Sequence, residues 1–116
     1  MRRGRERSVQ EQLLAEVPEC QLQQQVLDAA RYLGYLAFHT FDSRRCEPGF
    51  PDAVLIGTGR FAGRLIVLEF KTESGRVTVE QATWLGAWMQ VSGAVVRVVR
   101  PSGIDETLAL LQGKEV

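Results

Sequence analysis

No stretch of this 116-residue chain holds the roughly 20 consecutive apolar residues that a membrane-spanning helix needs. The opening Met-Arg-Arg-Gly-Arg-Glu-Arg-Ser is followed by no apolar stretch of the kind a secretory signal carries, so secretion by that route is not expected. Cysteine is scarce: Cys20 and Cys46 stand alone, with no C-x-x-C and no companion histidine spacing, which excludes a disulfide framework and a zinc site as the organising device. The expectation is a reduced, intracellular, cytoplasmic protein. With one histidine, His39, no Ser-His-Asp or Cys-His spacing is available for nucleophilic catalysis. Net charge is also absent, 14 Lys plus Arg against 14 Asp plus Glu, which argues against wholesale polyanion binding.

What is present suffices for a core. Hydrophobic residues make up 45% and charged residues 24%, a balance that folds, and the length suits one domain. Residues 1–7 read as a flexible basic arm and residues 8–116 as the domain. Arg2, Arg3, Arg5 and Arg7 crowd that arm, and Arg44 and Arg45 make a second basic spot.

Local patterns predict eight elements. Ser8 and Glu11 have capping-box spacing, which predicts a short helix over residues 9–16. Leu22, Val26, Ala29, Ala30 and Leu33 recur at helical steps and Gly34 closes them, predicting a helix over Glu19–Leu33. Residues 35–40 read as a strand and 41–50 as a loop. Residues 53–56 and 65–70 are apolar at both alternate sets of positions, as in strands covered on both faces, and the glycines between them predict a hairpin. Thr78 and Gln81 repeat the capping box before a helix with Ala82, Leu85, Trp88 and Met89 as its buried stripe. A β-branched strand over residues 94–99 stops at Pro101, and Ser102 is placed to cap a last helix. The order α-α-β-β-β-α-β-α predicts a small α/β fold, a mixed sheet flanked by helices.

Two charged positions break the apolar pattern. Glu69 and Lys71 lie two apart at the end of one strand and so share a face. Pro51-Asp52 opens the other strand. If Gly57 lies opposite Arg64, the same register sets Asp52 opposite Glu69, with Cβ atoms about 4.5–5.5 Å apart. Two carboxylates that close repel unless a cation sits between them, and Mg²⁺ favours such a pair with substrate phosphate. Either dipeptide alone reads as an ordinary surface pair or strand opening; both together, in order, favour a metal site.

The ordered residues Gly49-Phe50-Pro51-Asp52 and Leu68-Glu69-Phe70-Lys71 resemble the PD-(D/E)XK nuclease signature, and more narrowly the virus-type replication-repair nuclease (VRR-NUC) domain. Supporting runs are Pro18-Glu19-Cys20-Gln21-Leu22-Gln23, Phe38-His39-Thr40, Glu80-Gln81-Ala82-Thr83-Trp84-Leu85 and Gly93–Val98. The chain departs from the family at Phe70, where Val, Ile or Leu is usual, but that position contributes its carbonyl.

The resemblance implies a restriction-endonuclease-like fold and metal-dependent hydrolysis of DNA with Mg²⁺, or Mn²⁺ in its place, and no organic cofactor. Asp52, Glu69 and the Phe70 carbonyl would ligate the metal, Glu19 would add an acidic group directly or through water, and Lys71 would be the catalytic lysine. Gln81 would support Lys71 or the scissile phosphate. Gln23, His39, Ser43, Arg44 and Arg45 are the candidate DNA contacts. Each has a plainer reading: Glu19 as a first-turn acid, Gln81 as the capping box, His39 as a hydrogen-bonded strand residue, and the arginine loop as a solvated one. Trp84 and Trp88 read as core or dimer interface. The implied activity is a phage-type, structure-selective endonuclease in DNA repair, resolving four-way (Holliday) junctions as a homodimer. The alternatives are a catalytically silent DNA-binding or assembly module, a nuclease of flaps or duplex, and a restriction-type enzyme.

Overall fold

The structure, a computed structural model, describes residues 8–40 and 46–114. Residues 1–7 and the loop carrying Ser43, Arg44 and Arg45 lie outside the described residues, so the expectations placed on them are not addressed.

Eight elements form in the predicted order: α1 (Val9–Ala15), α2 (Glu19–Leu33), β1 (Leu36–His39), β2 (Ala53–Ile56), β3 (Leu65–Phe70), α3 (Val79–Met89), β4 (Ala94–Val99) and α4 (Ile104–Leu111). The capping signals act as read. Ser8 accepts from the Glu11 amide and Thr78 from the Gln81 amide, each with the reciprocal bond back to the cap. Gly34 ends α2 in the left-handed region at φ 101°, where other residues are strained. Ser102 is the exception. It lies in a single 3₁₀ turn, Pro101–Gly103, and Gly103 precedes α4 without a side-chain cap. The Ser102 amide instead donates to Glu73 Oε1 at 3.0 Å, tying the start of α4 to the loop after β3.

The strands lie in the order β1-β2-β3-β4, antiparallel except for the parallel pair β3–β4. α3 makes the crossover that a parallel pair requires. The apolar stripe of α2 (Leu22, Val26, Leu27, Ala30) packs with Leu110 and Leu111 of α4 on one face of the sheet, against Leu55, Ile66, Leu68, Phe70 and Val99. On the other face, α3 contributes Leu85 to a smaller cluster with Val67 and Val96. Tyr35 locks the larger core: its hydroxyl donates to the Leu111 carbonyl at 2.8 Å, and its ring stacks on Phe61.

Two expectations need correction. β2 is not covered on both faces, because α3 lies over β3 and β4 and leaves the β1–β2 half of its face open. Leu36, Phe38 and Ile56 are accordingly 65%, 61% and 44% exposed. The stripe of α3 is also narrower than its sequence suggested, since Leu85 alone is buried while Ala82 and Met89 face out.

Leu55 has no exposed surface and sits in the main core. Its replacement by alanine is expected to cost about 2–5 kcal/mol, read as a lower urea midpoint with unchanged slope.

Candidate active site

The register between β2 and β3 pairs Ala53 with Leu68 and Ile56 with Leu65, and the Gly57 amide donates to the Arg64 carbonyl at 2.9 Å. One step further, this register sets Asp52 opposite Glu69, as the hairpin reading expected. Strand alternation then turns Asp52, Glu69 and Lys71 to the face that α3 covers. Asp52 is held at both its ends. Its carbonyl accepts from the Thr40 amide at 3.1 Å, and its Oδ2 accepts from the Phe70 amide at 2.7 Å. The Phe70 ring is fully buried among the residues packed on α2, so only its main chain faces the carboxylates.

Glu69 is 2% exposed, an extreme setting for a carboxylate. Its Oε2 accepts from Gln81 Nε2 at 3.1 Å and lies 3.9 Å from Lys71 Nζ. Its Oε1 is shut off from solvent and finds no hydrogen-bond partner among the described residues. Burial chiefly, and then the neighbouring Asp52 carboxylate, push the Glu69 carboxyl up to about 8, while Lys71 pulls the other way. Lys71 is itself buried, and its amide donates to the Val99 carbonyl at 3.0 Å, which fixes its main chain against β4.

Gln81 does two things at once. Its Oε1 accepts from the Thr78 amide in the capping box while its Nε2 donates to Glu69, so the start of α3 is aimed by its own cap. It reaches Glu69 rather than Lys71. Glu19 stands exposed in the first turn of α2, where its charge adds a smaller upward push on Glu69. It does not close in as a third ligand: among the described residues no three His, Cys, Asp or Glu side chains form a group able to hold a metal. Gln23, one turn along α2, has its amide 3.3 Å from His39 Nδ1. The structure thus brings Asp52, Glu69, Phe70, Lys71 and Gln81 together and joins Gln23 to His39 as a separate pair.

Sequence reading missed a second layer of the site. Phe50, next to Pro51-Asp52, meets Trp84 of α3 edge to face, with centroids 5.1 Å apart at 74°. The sequence reading of Trp84 as core or dimer interface does not anticipate this contact, and the side chain is half-buried. The available signal was the Gln81-to-Trp84 spacing, which sets both side chains on one face of a helix.

The donor set suits a small hard cation. It offers carboxylates from two adjacent strand ends, Asp52 and Glu69, the latter with one buried oxygen unpaired, and one lysine beside them. No protein-family model and no curated protein matches the sequence. Among solved structures, one described as a VRR_NUC domain protein matches with a TM-score of 0.60 and 17% sequence identity, over 83% of this chain and 86% of that chain. Motif resemblance and three-dimensional likeness therefore agree: the chain is a small α/β protein with the fold of a VRR_NUC domain.

Proposed function

We propose that the chain is a divalent-metal-dependent endonuclease that hydrolyses DNA phosphodiester bonds, and that it acts on four-way junctions as a homodimer. The observation that carries this reading is the meeting of half-buried Asp52 with buried Glu69 and Lys71, in which one oxygen of Glu69 is left without a partner. A buried carboxylate with an unpaired oxygen costs stability, and such costly groups cluster at functional sites.

In this reading Asp52, Glu69 and the Phe70 carbonyl hold Mg²⁺, or Mn²⁺ in its place. When bound, the ion supplies charge stabilisation at the phosphate and a more acidic water. Asp52 keeps its aim through the Phe70 amide, and Glu69 through Gln81. Lys71 holds a positive charge where the phosphate oxygens gain negative charge. Glu19 acts through water. Gln23 and His39 face the DNA as one unit, and Ser43, Arg44 and Arg45 contact phosphates. The open apolar half-face of β1 and β2 favours a second copy as partner, because a two-fold dimer presents two centres to symmetric strands.

The test is purified protein against four-way junction, flap, single-stranded and duplex DNA, with Mg²⁺, with Mn²⁺ and with chelator, alongside a solution mass. Junction cleavage that needs the metal is expected, from a particle of twice the chain mass. Junction binding without cleavage under any divalent ion would make the chain a silent binding module instead. Cutting confined to linear duplex at one sequence would make it a restriction-type enzyme.

A further inference from the structure

The segment that delivers Asp52 runs so close to α3 that there is no room for a side chain at Gly49. Gly49 has φ +86°, and a Cβ built on it would lie 2.3 Å from the Glu80 carbonyl carbon, 2.4 Å from its oxygen and 2.7 Å from the Gln81 nitrogen. All three are main-chain atoms, so no side-chain rotation relieves the clash. They belong to the first turn of α3, whose Gln81 holds Glu69. One residue further, the Phe50 ring rests against Trp84, which shares a helix face with Gln81.

These contacts close a circuit. From Asp52 it runs through Phe50 and Gly49 to α3, from Gln81 to Glu69, along β3 to the Phe70 amide, and back to Asp52. A displacement at Gly49 must move either Asp52 or Gln81. We propose that Gly49, Phe50 and Trp84 are positioning residues that seat the Asp52 arm on the first turns of α3, so that one helix sets the spacing of both carboxylates. The inference rests on the endonuclease reading for its catalytic consequence, though not for its geometry.

A matched control exists within the fold. Gly93 has nearly the same φ, +84°, yet its Cβ would meet nothing within 4 Å. Alanine at either position is strained by the positive φ, and only at Gly49 does it add the collision with α3. Gly49→Ala is expected to lower kcat on DNA by about 100-fold with KM near the parent value, the scale of a small misplacement of catalytic groups. Gly93→Ala, which carries the positive-φ strain without the collision, is expected to lose less thermal stability and to keep the parent kcat. Trp84→Ala should repeat the kcat loss and Trp84→Phe, which keeps an aromatic edge for Phe50, should restore most of it. This pair decides the matter if Gly49→Ala does not fold.

A readout independent of cleavage is the Gln81 side-chain amide resonance in metal-free, ¹⁵N-labelled protein. It should move in Gly49→Ala and Trp84→Ala and stay in place in Gly93→Ala. Equal kcat in the two alanine variants, or an unmoved Gln81 amide in Gly49→Ala, would overturn the proposal. If the parent protein cuts nothing, the endonuclease reading fails, and the amide resonances alone decide whether the seat exists.

Discussion

Replacing Lys71 with alanine is expected to reduce DNA cleavage by on the order of 10³-fold while leaving DNA affinity near that of the parent. The asymmetry follows from where the side chain sits. Lys71 is 8% exposed, and its ammonium lies 3.9 Å from a carboxylate that is itself 2% exposed. A cation so placed contributes little to the general attraction of a polyanion, which exposed arginines and lysines supply. Its effect is confined to whatever occupies the space beside Glu69. The main chain is fixed by the bond to Val99, so truncation leaves β3 in place while removing the charge and its downward pull on the Glu69 carboxyl. Single-turnover cleavage together with an equilibrium binding titration measures both halves of the expectation. A Lys71→Ala protein that cuts within tenfold of the parent would remove the lysine from the proposed chemistry.

Glu69→Gln is expected to abolish cleavage and, without divalent ions, to make the protein more stable than its parent at about pH 8. The sign follows from burial. The Glu69 carboxyl rises from 4.5 to about 8 in the folded state, so the folded protein binds a proton that the unfolded chain releases. The parent is therefore favoured below the unfolded value and loses that stability as the pH climbs towards 8. The difference amounts to a few kcal/mol at most. Glutamine keeps an oxygen for the Gln81 amide and carries no charge to bury, so its stability should change little over the same range. Chemical unfolding with chelator at about pH 5 and pH 8 measures this, and parallel profiles for the two proteins would contradict it. Added Mg²⁺ should restore the parent at the higher pH, because a ligand that binds only the folded state stabilises it.

The parts of the fold legible in the sequence were those fixed by neighbours in the chain. The bounds of α2, β2, β3 and β4 follow from apolar period and from punctuation by Gly34, Pro51 and Pro101. The meeting of Asp52 with Glu69 was legible because an antiparallel hairpin has one register once its turn is placed. What escaped depends on where α3 lands after its crossover, a result of packing that no local pattern encodes. That placement leaves Phe38 and Ile56 uncovered, directs Gln81 to Glu69 rather than to Lys71, and brings Trp84 against Phe50. Ser102 was misassigned for a similar reason: its amide has a better partner in Glu73, which is distant in sequence.

Asp52, Glu69 and Lys71 lie on one uninterrupted stretch of chain, the β2–β3 hairpin, and the helix that braces them follows directly. Bringing them together closes only short loops, which costs less chain entropy than docking the chain ends. Slow hydrogen exchange should persist in this hairpin under conditions that already open α1 and α4. The chemistry-bearing segment is in that sense contiguous in the chain, while α2 and α4 supply the apolar cover on which its strands rest.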